Sequence, residues 1–220
     1  MIRCYAFEWV PPFARGQVRD LRVRWALEEL GLPYETRLVG SSPDAMAPAA
    51  YRALQPFGQV PALEDDGVTL FESGAIVLYL AERHPSRLLP PDPAARGRVL
   101  QWAFAALNTI EPPLQNLAAL DFFPSEERFA KERRPGALAF ARRRLGELAR
   151  CLDGRDFLVD AFSAADVLLS SVLRILSHTE LVAEQPAVAA YQHRCESRPA
   201  FQRALAAQLA DFARAETPAA

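Results

Sequence analysis

The order of strand and helix patterns along the chain constrains the fold most strongly. Residues 1–83 alternate between short apolar runs typical of buried strands and segments with apolar residues at helical spacing, whereas residues 94–220 carry helical patterns only. The predicted order in the first part is β-α-β-α-β-β-α. A helical crossover implies that the first two strands are parallel, and a short turn makes the last two antiparallel. The sequence therefore predicts an α+β fold whose second part is all-α.

The predicted elements of the first part are bounded by turn-forming residues. We expect strands at 2–7, 34–39, 60–63 and 68–71, and helices at 18–30, 43–54 and 73–83. The tetrapeptide 64–67 (EDDG) separates the last two strands and predicts a β-hairpin.

Prolines organise the rest of the chain. The proline-rich stretch 84–93 predicts a linker, which gives domains at 1–83 and 94–220. Pro112-Pro113 should kink or break the first long helix, and Pro135-Gly136 should disturb a second at 125–152. Residues 163–176 are apolar nearly all round, which is typical of a central buried helix. Pro186 and Pro199 stand where helices can begin.

Composition excludes several classes of protein. The 220 residues include 25 Lys and Arg against 27 Asp and Glu, a net charge of −2, so the basic excess of nucleic-acid binders is absent. No apolar run approaches the length of a membrane span, and the first residues carry no secretion signal, so we expect a cytoplasmic protein. The three cysteines and three histidines are scattered, which disfavours disulfides and a metal site.

Four short stretches, taken together, carry a family resemblance. They are VRWALEELGLPYE (23–35), QPFGQVPAL (55–63), LFESGAIVLYL (70–80) and FSAADV (162–167). In this order the chain resembles the cytosolic glutathione transferase superfamily over nearly its whole length. The resemblance implies a thioredoxin-like N-terminal domain, a C-terminal helical bundle, glutathione as co-substrate without a metal, and a homodimer. It also implies a detoxification-type transfer of the glutathione thiolate to a small hydrophobic electrophile.

The dipeptide Val60-Pro61 is the first predicted part of a glutathione site. The resemblance implies a cis bond before Pro61, which would turn the Val60 backbone outward to pair with the cysteinyl part of glutathione by strand addition. The amide of Gln59 is expected to hold a glutathione carboxylate. An ordinary proline at a strand edge is the alternative.

Glu72 and Ser73 are the second predicted part. They lie where a strand meets a helix, and the start of a helix offers unpaired N–H groups and a partial positive charge to an anion. Ser73 can donate to a carboxylate, and Glu72 can accept from an ammonium group, which matches the γ-glutamyl end of glutathione. The alternative is that Ser73 is an ordinary N-cap. Ser163 and Asp166 predict a structural capping box, to which we assign no chemistry.

The group that activates the thiol departs from the family pattern. An ordinary cysteine thiol has a pKa of about 8.5, so activation needs a group that stabilises the thiolate. The usual Ser or Cys position falls on Gln17, and residues 1–20 contain no Ser or Thr. We predict Gln17, from position, and Arg19, from charge, as catalytic residues. Other donors stay open, namely Arg15, the Trp9 indole and backbone N–H groups.

Two hydroxyl or thiol groups are less suitable for that role. Tyr5 lies inside the first predicted strand, where a packed role is favoured, and Cys4 should be buried there, which disfavours a reductase of the mixed-disulfide type. Two rival functions remain beside the transferase. One is a non-catalytic or regulatory glutathione-binding protein, and the other is a glutathione-dependent isomerase or thiol–disulfide oxidoreductase.

Overall fold

The computed structural model of the protein describes residues 1–40, 49–84, 88–123 and 127–216. Four strands and nine α-helices lie in these ranges. The strands are β1 (Ile2–Phe7), β2 (Tyr34–Val39), β3 (Ala62–Asp65) and β4 (Val68–Phe71). The helices are α1 (Asp20–Leu30), α2 (Ala49–Leu54), α3 (Ser73–Arg83), α4 (Pro93–Phe104), α5 (Glu111–Phe122), α6 (Glu127–Leu152), α7 (Ala164–Leu173), α8 (Pro186–Glu196) and α9 (Pro199–Glu216).

The four strands form one mixed sheet in the order β2-β1-β3-β4. β1 and β2 are parallel, whereas β3 is antiparallel to both β1 and β4. Ala62 of β3 sets the register of the sheet, because it lies opposite Tyr5 of β1 on one side and Phe71 of β4 on the other. The predicted fold class, a mixed sheet with the β-α-β-α-β-β-α order followed by helices, is confirmed.

α1 forms the core of the first compact unit, because its buried residues run from Asp20 to Leu27. The Trp25 ring packs edge-on against Phe201 of α9, with ring centroids 4.8 Å apart. Gly31 ends the helix at φ 64°, a left-handed conformation that glycine adopts without steric cost.

The last helix belongs to this first unit. Residues Met1–Ser86 group with Arg198–Ala220, and Arg87–Ser197 form the second unit. The predicted second domain, residues 94–220, includes α9, whereas in the structure α9 groups with the first unit because it packs on α1. Buried Arg24 donates to Asp211 of α9 at 2.7 Å, and Arg198 makes a two-bond ion pair with Glu29 at 2.6 and 2.7 Å.

The second unit is built around α7, all ten residues of which are buried. The predicted capping box at its start is confirmed. The Asp166 carboxylate accepts from the N–H and hydroxyl of Ser163 at 2.8 and 2.9 Å, from the N–H of Leu158 at 3.0 Å and from the Tyr191 hydroxyl at 3.0 Å. Among the described helices of both units, none is long and apolar enough to cross a membrane.

Neither Pro112-Pro113 nor Pro135-Gly136 breaks a helix where the sequence predicted a kink, a break or a disturbance. A π-helical turn at Ala105–Ile110 joins α4 directly to α5, so Pro112-Pro113 fall in the first turn of α5, where they lose few bonds. Pro135 lies inside α6, which continues without interruption, and the exposed surface around it lets water bond the carbonyl that its missing N–H releases.

Two boundaries of the first unit also differ from the prediction. β3 begins at Ala62 and continues to Asp65, so the hairpin turn is the two-residue pair Asp66-Gly67, both with positive φ. Pro61 cannot donate to the sheet, which explains why the strand begins after it. Of the helix predicted at 43–54, α2 covers 49–54, and residues 43–48 lie outside the described ranges. Residues 85–87 of the predicted linker do so too.

Candidate functional site

Three connecting segments of the first unit meet the sheet at the same edge. β1 ends at this edge, β3 begins there and β4 ends there, because β3 is antiparallel to both of its neighbours. α1 and α3 also begin on this side, since each follows a segment that leaves the sheet here. The predicted site residues at 17–19, 59–61 and 72–73 are therefore brought to one edge of the sheet.

The segment before β3 has the backbone geometry that we predicted. The Val60-Pro61 peptide bond is cis. A turn precedes it, in which the buried Gln55 side chain accepts from the Phe57 N–H at 2.7 Å and Gly58 has φ 66°. None of the hydrogen bonds found among the described residues uses the backbone N–H or C=O of Val60. The Gln59 side chain is exposed, whereas Val60 and Pro61 are buried.

The segment after β4 presents a strained residue followed by a buried hydroxyl. Glu72 has φ 71° and ψ 112°, a conformation that costs a non-glycine residue about 1–3 kcal/mol. Glu72 itself occupies the N-cap position of α3 without a side-chain capping bond, so Ser73 is not the N-cap. Ser73 is the first residue of the helix, and only 3% of it is exposed. An 11-residue helix therefore begins at the edge with a hydroxyl and unpaired N–H groups.

A buried arginine that the sequence reasoning missed connects α1 with this segment. Arg22 is only 3% exposed and donates from Nη1 to Ser73 Oγ at 3.2 Å. Because that bond uses a lone pair of the hydroxyl oxygen, the Ser73 hydrogen points to another acceptor, and no such acceptor is found among the described residues. The signal in the sequence was an arginine on an otherwise apolar face of α1.

The segment before α1 carries the two predicted catalytic residues. Gln17 is half-buried, and its side-chain amide donates to the Phe13 carbonyl at 2.9 Å. Arg19 is exposed and occupies the N-cap position of α1. Gln17 is thus held by the loop, and Arg19 brings a cation to the start of the helix. Their catalytic roles stay predictions.

Tyr5 and Cys4 are engaged elsewhere. The Tyr5 hydroxyl donates to Glu64 at 2.6 Å, and burial together with that carboxylate raises the pKa of Tyr5 to about 12. Cys4 is fully buried, and burial raises the pKa of its thiol to about 12. Both groups stay protonated at neutral pH, which agrees with the predicted structural role of Tyr5 and the predicted burial of Cys4.

Hydrogen bonds from α9 hold the start of α1. Gln208 donates from Nε2 to the Val18 carbonyl at 3.3 Å and to Asp20 at 2.7 Å. Arg24 lies between Asp20 and Asp211, at 2.8 and 2.7 Å. Burial raises the pKa of Asp20 in spite of these bonds. Within the described ranges, no group of three or more His, Cys, Asp or Glu could hold a metal ion.

A protein-family model matches part of the first unit. Residues 21–83 match the model described as the N-terminal domain of glutathione S-transferase, which includes α1, the segment before β3 and the segment after β4.

Curated relatives extend the similarity. Glutathione S-transferase F9 of Arabidopsis thaliana is 40% identical over 115 residues, 48% of this chain and 54% of that protein. F14 of the same plant is 31% identical over 199 residues, 80% of this chain and 75% of that protein. Maleylacetoacetate isomerase of Rattus norvegicus is 34% identical over 152 residues, 68% and 69% of the two chains. The chain spans little more than half the length of F9.

Solved structures match over most of both chains. A glutathione transferase from Burkholderia graminis, with two glutathione molecules bound per subunit, has a TM-score of 0.81 at 30% identity and covers 93% of this chain and 87% of its own. One from Pseudomonas putida, with one glutathione disulfide bound per subunit, has a TM-score of 0.80 at 28% identity, covering 93% and 90%. Sequence, fold and site geometry together show that the chain belongs to the cytosolic glutathione transferase superfamily.

Proposed function

We propose that the protein is a glutathione transferase that transfers the glutathione thiolate to a small hydrophobic electrophile. The observation that carries this proposal is the convergence of the Val60 backbone, Ser73 and the start of α1 at one edge of the sheet. The glutathione and glutathione disulfide bound to the Burkholderia and Pseudomonas neighbours support it.

The edge suits each part of the tripeptide. The Val60 N–H and C=O pair with the main chain of the cysteinyl residue, as an added strand would. Ser73 and the N-terminus of α3 bind the γ-glutamyl carboxylate, and the exposed Glu72 carboxylate accepts from the ammonium group of the same residue. The Gln59 amide donates to a carboxylate, and Pro61 has no N–H to compete for the ligand. These two segments, residues 59–61 and 72–73, form the proposed glutathione clamp.

Thiol activation falls to the segment before α1. Lowering the thiol pKa by about two units requires about 2.7 kcal/mol of preferential thiolate stabilisation. Arg19 supplies a positive charge, Gln17 supplies amide donors, and the N-terminus of α1 adds a partial positive charge. The thiolate then attacks the electrophilic carbon to form a C–S bond, and the electron pair leaves with the displaced group or moves to an electron-withdrawing substituent.

The pKa of the bound thiol tests the proposal. We expect the thiolate absorbance of bound glutathione to rise with a midpoint about two pH units below that of free glutathione. Arg19→Gln should move that midpoint back towards the free value while leaving binding largely intact. A bound thiol that titrates like free glutathione would mean that the protein binds glutathione without activating it, which is the non-catalytic alternative.

Ser73→Ala tests the clamp independently of activation. Loss of a charge-assisted hydrogen bond should weaken glutathione binding about tenfold in calorimetry. Ser171→Ala is a matched control, since it removes a buried serine hydroxyl that donates to Val167 in α7 of the second unit. Equal affinities of the two variants would contradict the role given to Ser73.

One specific relative favours a second candidate function. The rat relative is a maleylacetoacetate isomerase, 34% identical over 69% of its length. In such a reaction a glutathione thiolate would add to a double bond and then leave it, so the same site serves both activities. Turnover of maleylacetoacetate without consumption of glutathione, together with no conjugate from standard electrophiles, would favour the isomerase.

A homodimer is part of the same proposal. Phe57 is 67% exposed, and its ring packs against Phe71 at 5.9 Å between centroids, so the first unit carries an exposed pair of aromatic side chains. Burial of this pair against a second copy would remove apolar surface from water. Phe57→Ser should lower the dimer fraction in sedimentation experiments at micromolar concentration, and a wild type that is monomeric there would reject the dimer.

A further inference from the structure

Tyr51 lies directly beneath one of the two segments that form the proposed glutathione clamp. α2 buries one side chain, Tyr51, of which 4% is exposed. Its hydroxyl donates to the carbonyl oxygen of Gln59 at 2.6 Å, which is short for a neutral O–H···O bond. Burial raises the pKa of this hydroxyl, so it remains a donor at neutral pH.

This bond fixes the orientation of one peptide group. The Gln59 carbonyl and the Val60 N–H belong to the same planar peptide, and in a trans peptide these two groups point in opposite directions. A carbonyl that is held inward by a buried hydroxyl therefore directs the Val60 N–H away from the core. That N–H has no acceptor among the described residues, so it is a donor available to a ligand.

The position of the hydroxyl is itself fixed by packing. Tyr51, Val60 and Ala62 form a small buried cluster, against which Tyr5 and Val18 pack. The Tyr5 and Tyr51 rings lie 5.5 Å apart at 42°. Since Val18 directly follows Gln17, the same cluster also supports the segment proposed to activate the thiol.

We propose that Tyr51 is a positioning residue, whose hydroxyl orients the Gln59–Val60 peptide so that the Val60 N–H is presented to a main-chain carbonyl of a bound peptide. The inference rests on the proposed function for the identity of that peptide, glutathione. The orientation of the peptide group does not depend on any ligand.

Two matched variants separate the hydroxyl from the ring. Tyr51→Phe removes the bond to Gln59 and keeps the aromatic packing. Tyr5→Phe makes the same chemical change in the same cluster but removes a bond to Glu64 instead. Calorimetry should show glutathione binding about 3- to 10-fold weaker in Tyr51→Phe and nearly unchanged in Tyr5→Phe. In turnover, Tyr51→Phe should raise KM for glutathione and leave kcat near the wild-type value, since the thiol-activating segment is intact.

Nuclear magnetic resonance of the ligand-free protein tests the orientation directly. In the wild type and Tyr5→Phe we expect one Val60 amide signal, broadened by a soluble paramagnetic probe, and a Gln59 carbonyl shift typical of a hydrogen-bonded group. In Tyr51→Phe the Gln59 carbonyl shift should move, and the Val60 amide signal should shift or split.

The two measurements distinguish the two ways to fail. Unchanged Gln59 and Val60 signals in Tyr51→Phe would overturn the inference, as would equal losses of affinity in both variants. If the wild type binds no glutathione, the proposed function fails, and the ligand-free spectra still decide whether Tyr51 orients the peptide.

Discussion

The two units bury an aspartate at the start of a helix in different ways. Asp166 of the second unit accepts only from neutral donors, and three of its four bonds come from residues within eight positions. Asp20 of the first unit is paired with Arg24, which also pairs with Asp211, 187 residues further along the chain. Burial raises the pKa of both carboxyl groups. The first arrangement stabilises one helix start, and the second connects two distant helices and supports the candidate site.

The most severe test removes the charge that the two aspartates of the first unit share. Arg24→Met leaves Asp20 and Asp211 buried without their common cation, so we expect a loss of about 3–5 kcal/mol in the free energy of unfolding. Urea denaturation measures it. Arg143→Met, at an exposed position of α6, is the control and should change stability by less than about 0.5 kcal/mol. A small effect of Arg24→Met would mean that the buried network is energetically neutral.

Removal of the Asp166 carboxylate should lower the free energy of unfolding somewhat less than Arg24→Met does. Asp166→Ala leaves two backbone N–H groups and two hydroxyls without their acceptor in a buried place, which we expect to cost about 3 kcal/mol. Asp160→Ala nearby, whose carboxylate is exposed, is the matched control. If glutathione still binds with wild-type affinity to the fraction of Asp166→Ala that is folded, the box has a structural role only.

Gln208 tests the link between α9 and the site. Gln208→Leu keeps the volume but removes both bonds to the start of α1, so the free energy of unfolding should fall by about 1–2 kcal/mol. Because those bonds hold Val18 and Asp20, the thiol pKa of bound glutathione should also rise. Gln202→Leu, at another position on α9, is the comparison. Stability loss with an unchanged thiol pKa would show that α9 supports the fold and not the chemistry.

The smallest effect is expected from a change of charge alone. Burial raises the folded-state pKa of Asp20 above its unfolded value of about 4, so the folded protein holds this proton more tightly than the unfolded chain does. The folded state therefore loses stability as pH rises from the unfolded pKa of Asp20 through its folded pKa. Asp20→Asn mimics the protonated form. The two proteins should differ least in stability below about pH 4, where Asp20 is protonated in both the folded and the unfolded state, and the variant should become the more stable of the two as pH rises towards 7. A variant that is less stable at pH 7 would mean that the Arg24 pair outweighs the cost of burial.

Patterns in neighbouring residues could be predicted because their partners are close in sequence. Ser163 and Asp166 are three residues apart, and the strand–turn–strand signal at 60–71 is equally local. The cis bond at Val60-Pro61 was expected from a family pattern and is confirmed, whereas the role of this dipeptide in binding glutathione stays a prediction.

Contacts between distant residues could not be predicted in the same way. Arg22 meets Ser73 across 51 positions, and Gln208 meets Val18 across 190. No periodicity in the sequence identifies such a pair, because a pattern along one segment does not say which distant segment packs against it. The Tyr51 bond spans only eight residues, but its meaning depends on the direction of a backbone carbonyl, which side-chain patterns do not encode.

The return of α9 to the first unit has a consequence for synthesis on the ribosome. The chain emerges from its N-terminus, so the sheet, α1 and the whole second unit are made before Asp211 and Phe201 exist to cover Arg24 and Trp25. The first unit therefore cannot complete its core until α9 has been made. Until then the Arg24 guanidinium lacks one of its two carboxylate partners and the Trp25 indole lacks the aromatic ring that covers it, so the synthesis of α9 is the step that lets this unit reach its native packing.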